Sequence, residues 1–136
     1  MSETVYGQLA VLVVDDQDFM RDLVSSVLRQ IGFRRIDTAS DGEAALKCVA
    51  QTVPKLIICD IEMAPMNGIE FIERLHKAGF TGAKRIATVF LTSHAEAALV
   101  HQAAKLGVDA FVVKPVKRGP FEQKIQQILK RSGAIQ

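Results

Sequence analysis

Apolar residues along this chain follow two patterns that alternate from one end to the other. Short uninterrupted apolar runs, as at residues 9–14 and 56–59, are typical of strands buried on both faces of a parallel sheet. Between these runs, apolar residues recur every three or four positions, which predicts amphipathic helices. The predicted strands are 9–14, 35–39, 56–59, 86–91 and 110–113, and the predicted helices are about 19–31, 41–51, 68–78, 95–106 and 121–129.

Five alternating strand–helix units in this length of chain predict a single α/β domain at residues 8–131, with short tails at 1–7 and 132–136. The sheet should be open and parallel, with helices on both of its faces, because consecutive parallel strands need a crossover helix. A closed eight-fold barrel would need about twice the length.

The composition excludes several classes of protein. Apolar residues make up 49% of the chain and the net charge is +2, whereas a disordered chain needs low hydrophobicity and high net charge. No apolar run approaches the ~20 residues needed to span a bilayer, and the first residues lack a signal-peptide pattern. Cys48 and Cys59 are too few and too far apart for a zinc motif, which favours small buried thiols in the cytoplasm. The slight basic excess does not indicate nucleic-acid binding.

Polar residues follow four of the five predicted strands, at the edge of the sheet where ligands bind in open α/β folds. They are Asp15 and Asp16, then Asp60, Thr92 and Lys114. Three carboxylates brought together disfavour joint ionisation, and a divalent cation such as Mg²⁺ with oxygen ligands offsets their repulsion. Carboxylates, metal, hydroxyl and ammonium together are typical of a site that handles a phosphoryl group.

Each of these residues also has an ordinary structural interpretation. A polar residue at the end of a strand is usually a loop residue or a helix cap, and Asp18, Thr92 and Ser93 are all suitable caps for the helices that follow. Chance explains each residue taken alone but poorly explains the whole set at the ends of the right strands.

Four motifs, in this order, resemble the receiver domain of bacterial two-component response regulators. They are Val-Val-Asp15-Asp16, Asp60-Ile-Glu-Met-Ala-Pro-Met-Asn-Gly68, Leu-Thr92-Ser and Lys114-Pro115, and the resemblance runs from about residue 8 to residue 131. It implies a flavodoxin-like (βα)5 fold with the strand order 2-1-3-4-5. It also implies that Asp60 is the phosphoacceptor, and that Mg²⁺ is bound by Asp15, Asp16, Asp60 and the backbone carbonyl of Glu62.

The resemblance also implies the residues that respond to phosphorylation. Thr92 would be the switch hydroxyl that bonds a phosphoryl oxygen, and Lys114 would pair with the phosphoryl group. Phe111 stands at the aromatic switch position, where tyrosine is frequent in the family, and it is equally well interpreted as a core residue of a strand. The bond between Lys114 and Pro115 is cis in the family.

Three further positions modify this expectation. The Met-Pro step that usually follows the phosphoacceptor has its proline one place late, at Pro65, so we expect a reshaped loop and an intact site. Glu62 and His94 lie two places after Asp60 and Thr92, where they would flank the approach of water to the phosphoryl group and tune its lifetime. Both could also simply point into solvent.

The sequence therefore predicts a stand-alone receiver that accepts a phosphoryl group from a histidine kinase or a histidine phosphotransfer protein. It would act on a target protein through the face formed by residues 92–130, without binding nucleic acid, entering a membrane or acting as an enzyme with turnover. The alternatives are a receiver cut from a larger regulator, a degenerate receiver that serves as a scaffold, a flavin-binding module and a phosphatase of the haloacid dehalogenase type. The flavin module lacks its phosphate loop, and the phosphatase lacks a lid and a good Asp-x-Asp match.

Overall fold

Five parallel strands form one sheet in the order β2-β1-β3-β4-β5, which confirms the predicted flavodoxin-like arrangement. The computed structural model describes residues 2–79, 86–93 and 97–136. The strands are β1 (Ala10–Val14), β2 (Arg35–Ala39), β3 (Leu56–Asp60), β4 (Ala87–Thr92) and β5 (Ala110–Val113). Each observed strand lies within two residues of its predicted bounds, because buried parallel strands leave a distinctive uninterrupted apolar run.

Helices cover both faces of the sheet. They are α1 (Ser2–Gly7), α2 (Asp18–Ile31), α3 (Gly42–Gln51), α4 (Gly68–Lys77), α5 (Ala97–Lys105) and α6 (Arg118–Ser132). Side chains of α1, α2 and α6 share one buried cluster, and side chains of α3, α4 and α5 share the other. The longest helix in the described part of the chain, α6, has 15 residues, and no helix there is both long and apolar enough to cross a bilayer.

The central strands supply side chains to both clusters in turn. In β1, Val11 and Val13 belong to the cluster under α2 and α6, whereas Leu12 and Val14 belong to the cluster under α3 and α4. All four side chains are about 1% exposed. Successive side chains of a strand point to opposite faces, so a strand covered on both faces must be apolar at every position.

The ends of the helices are fixed by local contacts. Gly32 ends α2 with a φ of 130°, a conformation that L side chains rarely adopt. The Asp41 side chain accepts a hydrogen bond from the backbone of Ala44 at the start of α3. At the start of α4, Asn67 and Glu70 form a reciprocal capping box. The loops at the carboxyl ends of the strands are therefore held by defined helix starts.

The first residues differ from the tail that the sequence suggested. Residues Ser2–Gly7 form a short helix, and the Tyr6 ring stacks on Phe33 with a centroid separation of 4.9 Å. Tyr6 is 3% exposed, and it lies at the amino ends of the strands. A helix of six residues is not stable alone, so burial of this aromatic ring against Phe33 accounts for its formation.

Candidate functional site

Four strands bring their polar terminal residues to one edge of the sheet. Asp15 directly follows β1, Asp60 ends β3, Thr92 ends β4 and Lys114 directly follows β5. The backbone N–H of Lys114 donates to the carbonyl of Thr92 at 2.8 Å, which holds the last two strands together at this edge. Asp15, Asp60 and Thr92 are almost fully buried. The structure therefore brings together the strand-end residues that the sequence singled out.

Asp60 lies between an anionic and a cationic neighbour. The Lys114 ammonium is 3.5 Å from Asp60 Oδ2 and also 3.5 Å from Asp15 Oδ2. Asp60 Oδ1 accepts a hydrogen bond from the backbone N–H of Glu62 at 3.2 Å. Burial, followed by the Asp15 carboxylate, raises the pKa of Asp60 to about 6, although Lys114 and the Glu62 backbone act in the opposite direction.

Arg21, on the first turns of α2, holds the loop after β1. Its guanidinium donates to the backbone carbonyl of Asp15 at 2.7 Å and forms an ion pair with Asp18. The Asp15 carboxylate also accepts the backbone N–H of Gln17 at 2.9 Å. Asp18 therefore pairs with Arg21, and it is not the cap of α2, which begins after Gln17. Sequence reasoning missed Arg21, because an arginine on an amphipathic helix ordinarily indicates a solvated face.

The three carboxylates have a spacing that suits a small divalent cation. One oxygen from each of Asp15, Asp16 and Asp60 lies within 4.8 Å of the other two. Opposite ligands of Mg²⁺ are about 4.2 Å apart, since each Mg–O distance is about 2.1 Å. Asp16 is exposed whereas its two partners are buried, so water can reach the cluster from one side. The donor set therefore fits Mg²⁺, which usually keeps several water ligands.

The remaining predicted residues of the switch lie along the last two strands. Phe111 is partly buried on β5, with its ring 6.2 Å from that of Phe90, and its carbonyl accepts a hydrogen bond from the Lys124 ammonium at 2.9 Å. The peptide bond between Lys114 and Pro115 is cis, as the resemblance implies. Lys124 had no signal in the sequence beyond the basic character of the last helix.

The loop between β3 and α4 contains the late proline, Pro65. The bond between Ala64 and Pro65 is cis, and Met63 and Met66 on either side are buried. The exposed carboxylate of Glu62 accepts hydrogen bonds from the Ser93 hydroxyl, at 3.2 and 3.4 Å to its two oxygens. His94, which was expected to act with Glu62, lies outside the described residues.

Comparison with known proteins agrees with this geometry. A sequence model of the response regulator receiver domain matches residues 11–126, which is most of the chain. This chain belongs to that family. The receiver domain family thus accounts for both the strand order and the acidic cluster.

Relatives of this receiver include chemotaxis proteins. A probable chemotaxis protein CheY of Rhizobium etli is 38% identical over 112 residues, which are 82% of this chain and 85% of that protein. A protein-glutamate methylesterase/protein-glutamine glutaminase of Desulfotalea psychrophila is 40% identical over 118 residues, but these cover only 32% of that protein. Receivers similar to this one therefore occur both in short proteins and in larger ones.

A solved structure supports the same fold. A chain of the CheX-CheY-BeF3-Mg²⁺ complex from Borrelia burgdorferi is 25% identical, with a TM-score of 0.80 and 89% of each chain covered. This receiver is accordingly similar to a chain of a two-protein complex that contains a magnesium ion.

Proposed function

We propose that this receiver accepts a phosphoryl group on Asp60 from a phosphohistidine donor in the presence of Mg²⁺. The carrying observation is that Asp60 is buried at the end of a central strand and contacts both the Lys114 ammonium and the Glu62 backbone. Asp15 has the same two kinds of contact, from Lys114 at 3.5 Å and from the backbone N–H of Gln17 at 2.9 Å. What distinguishes Asp60 is that it ends the central strand β3, at the position that matches the phosphoacceptor motif of the family. This arrangement suits an acceptor of an anionic group.

Asp15, Asp16 and Asp60, with the backbone carbonyl of Glu62, would hold the metal. Mg²⁺ supplies charge neutralisation for the phosphoryl oxygens when it is bound. The ion pairs from Lys114 to Asp15 and Asp60, both at 3.5 Å, offset part of the carboxylate charge in the metal-free protein. Arg21 fixes the backbone of Asp15, so it would keep that ligand in place as a positioning residue.

The transfer itself needs little from the protein besides position and charge. A carboxylate oxygen of Asp60 forms a bond to phosphorus as the P–N bond to the donor imidazole breaks, and the imidazole nitrogen keeps the electron pair. Lys114 would then stay with the transferred group and balance its added negative charge. The protein takes up one phosphoryl group per chain, so it acts as an acceptor and not as an enzyme with turnover.

The new phosphoryl oxygens would attract the hydroxyl of Thr92. Thr92 lies one place beyond Leu91, the register partner of Asp60. Its movement, together with a change at Phe111, would alter the surface of β5 and the flanking helices. That is a two-state element biased by a local charge.

The lifetime of the phosphorylated form would depend on Glu62 and His94. The Glu62 carboxylate lies at the rim of the site and is bonded to Ser93. It can orient an attacking water or repel a nucleophile, and these effects oppose each other. We expect Glu62→Ala and His94→Ala each to change the dephosphorylation rate by at least ~3-fold, a threshold that corresponds to ~0.65 kcal/mol of barrier. Dephosphorylation rates equal to that of wild type in both variants would show that neither side chain governs the lifetime of the phosphorylated form.

A cleft between β5 and α6 is the surface we propose for the target protein. It has a volume of about 400 Å³, and its lining includes Phe111, Val113, Pro115, Lys117 and Lys124. Val113 is 50% exposed, which is high for an apolar residue in a strand. An apolar floor with lysines at the rim suits a segment that carries an apolar anchor and acidic side chains.

Intact-mass measurement with acetyl phosphate and Mg²⁺ tests the phosphoacceptor. Wild type should gain the mass of one phosphoryl group, whereas Asp60→Asn should gain none. Asp22→Asn is the matched control, because Asp22 is exposed on α2 and should leave labelling unchanged. Labelling of the Asp60 variant to the same extent as wild type would refute the assignment.

Charge reversal tests the surface for the target. Once a binding partner has been identified, Lys124→Glu should weaken its affinity at least ~10-fold, whereas Lys47→Glu on the exposed face of α3 should not. Equal losses of affinity in the two variants would mean that the net charge of the protein, and not this cleft, governs binding.

We further propose that the receiver acts by direct contact with its target, without an attached output domain. The support is the relative from Rhizobium etli, of which 85% is covered by the matching part of this chain. The mass of the protein in extracts of its own cells distinguishes a receiver without an output domain from a fragment of a larger regulator. A species much heavier than 14.9 kDa would favour the larger regulator.

A further inference from the structure

The loop from Ile61 to Asn67 carries Glu62 past the acidic cluster and is anchored at several points. At one end, the backbone N–H of Ile61 donates to the carbonyl of Leu91 at 3.1 Å. At the other end, the backbone N–H of Gly68 donates to the carbonyl of Ile61 at 2.9 Å, which closes the loop on itself. Between these bonds, the loop has no regular secondary structure, so its buried side chains must determine its path.

Met66 is one of these buried side chains, and it packs on the first residue of α3. A Cβ added to Gly42 would lie 2.4 Å from Met66 Sδ, 3.1 Å from its Cγ and 3.2 Å from its Cβ. Real Cβ atoms do not approach other atoms to 2.4 Å, so Met66 occupies space that exists only because residue 42 is glycine. Both residues are buried, and Met66 is 5% exposed.

We propose that the contact between Gly42 and Met66 positions the loop so that Glu62 can complete the metal site. This inference rests on the proposed function, because it assumes that Mg²⁺ binds at the acidic cluster. Gly42 and Met66 are positioning residues, since neither belongs to the acidic cluster itself.

The length of the loop explains why this contact matters to Glu62. Only three residues separate Glu62 from Met66, and Met63 next to Glu62 is itself buried at 7% exposure. The backbone N–H of Glu62 meanwhile bonds to Asp60 Oδ1 at 3.2 Å. The added methyl group would push Met66 Sδ aside by about 1 Å, which rotation of this flexible side chain can supply in part, and it would also crowd Met66 Cγ and Cβ at 3.1 and 3.2 Å. The crowding at Cβ requires a shift of the Met66 backbone by a few tenths of an ångström, and this short segment must absorb that shift. It would therefore change the distance between the Glu62 backbone and the carboxylate cluster.

Gly42→Ala and Met66→Ala form the test, with Gly119→Ala as the control. A Cβ at Gly119, also near the start of a helix, meets nothing within 4 Å. We expect Gly42→Ala and Met66→Ala each to raise the Kd for Mg²⁺ at least ~5-fold in isothermal titration calorimetry. Gly119→Ala should stay within ~2-fold of wild type. In the metal-free protein, the amide signals of Glu62 and Met63 should shift in Gly42→Ala and not in the control.

The double variant separates this role from a general loss of stability. If both single changes remove the same anchor, Gly42→Ala should have little further effect on the Kd for Mg²⁺ once Met66 is alanine. Alanine is also a better helix former than glycine, so stability and metal affinity can change in opposite directions.

Three results would overturn the inference. The first is a wild-type Kd for Mg²⁺ in a folded Gly42→Ala protein, and the second is full additivity of Gly42→Ala and Met66→Ala. The third is that wild type does not bind Mg²⁺, or that Asp16→Ala leaves the Kd for Mg²⁺ unchanged. That third result would overturn the proposed function as well, whereas the first two leave it intact.

Discussion

Replacement of Asp60 by asparagine should stabilise the metal-free protein at neutral pH while it abolishes phosphorylation. The Asp60 carboxylate is 4% exposed and lies beside the carboxylate of Asp15, and these two conditions raise its pKa from 3.8 to about 6. Ionisation of Asp60 is therefore less favourable in the folded protein than in the unfolded chain. An asparagine of nearly the same shape removes that charge and keeps the packing.

The size of the effect follows from the difference between the two pKa values. A difference of about 2 corresponds to about 3 kcal/mol, because each pKa unit is worth about 1.36 kcal/mol. The effect of Lys114 is already contained in this pKa, and the exposed Asp16 admits water, so part of the energy is screened. We expect a gain of about 1–2 kcal/mol in the free energy of unfolding of Asp60→Asn at pH 7.5.

The pH dependence gives the sharper result, and its sign is fixed. A carboxyl group whose pKa is raised by folding binds more protons in the folded state, so stability falls as the pH rises from about 4 to about 6. The asparagine variant lacks this loss. The difference between the two proteins should therefore be smallest at pH 4 and should reach its full value above pH 6. Urea unfolding followed by circular dichroism, with EDTA present, measures both free energies.

Two controls make the result specific to Asp60. Asp22→Asn should change the free energy of unfolding by less than ~0.5 kcal/mol at either pH, since Asp22 is exposed. Saturating Mg²⁺ at pH 7.5 should stabilise wild type and narrow the gap to Asp60→Asn. The reasoning fails if the difference between Asp60→Asn and wild type is the same at pH 4 and pH 7.5.

Three further predictions concern the same edge of the sheet. Asp16→Ala should raise the Kd for Mg²⁺ at least ~10-fold by calorimetry without lowering metal-free stability, because it removes one of three crowded charges; tight binding by the variant would contradict this. Lys114→Met should lower the free energy of unfolding in urea by about 1–3 kcal/mol at pH 7.5, since two buried carboxylates lose their cation. It should also slow labelling by acetyl phosphate at least ~10-fold. Labelling at the wild-type rate would exclude a role of Lys114 in phosphorylation. Gly68→Ala should lower the free energy of unfolding by about 1–3 kcal/mol, because its Cβ would lie 2.8 Å from the Asp60 carbonyl oxygen. Gly119→Ala should leave the free energy of unfolding unchanged. Equal stabilities of the two variants would count against a clash at Gly68.

Much of the fold could be predicted because the buried strands and amphipathic helices leave strong periodic signals. The run at β3 is apolar at each position up to Asp60, which ends the strand beside the carboxylates of Asp15 and Asp16. The strand order came from the resemblance to a family and not from the pattern, since local periodicity does not specify which strands are neighbours.

The parts that could not be predicted depend on contacts between distant segments. Residues Ser2–Gly7 form a helix because Tyr6 packs on Phe33, and nothing in the local sequence indicates that partner. The bond from Arg21 to the Asp15 carbonyl and the fit of Met66 against Gly42 are likewise visible only in three dimensions. A motif identifies the residues that carry out the chemistry. The residues that hold them in position belong to no motif, and only the folded structure shows their role.

The position of Tyr6 determines what intrinsic fluorescence can report about this protein. The chain has no tryptophan and one tyrosine, and that ring is stacked on Phe33 at the amino ends of the strands, opposite the acidic cluster. Its emission should follow the docking of the first helix and stay constant as Mg²⁺ or a phosphoryl group binds. Phe19 is 74% exposed on the first turn of α2, next to Asp18, so Phe19→Trp would supply an optical probe close to the site. In the Phe19→Trp protein, which keeps Tyr6, excitation at the red edge of the absorption spectrum selects the tryptophan. One sample can therefore report on the two ends of the sheet separately.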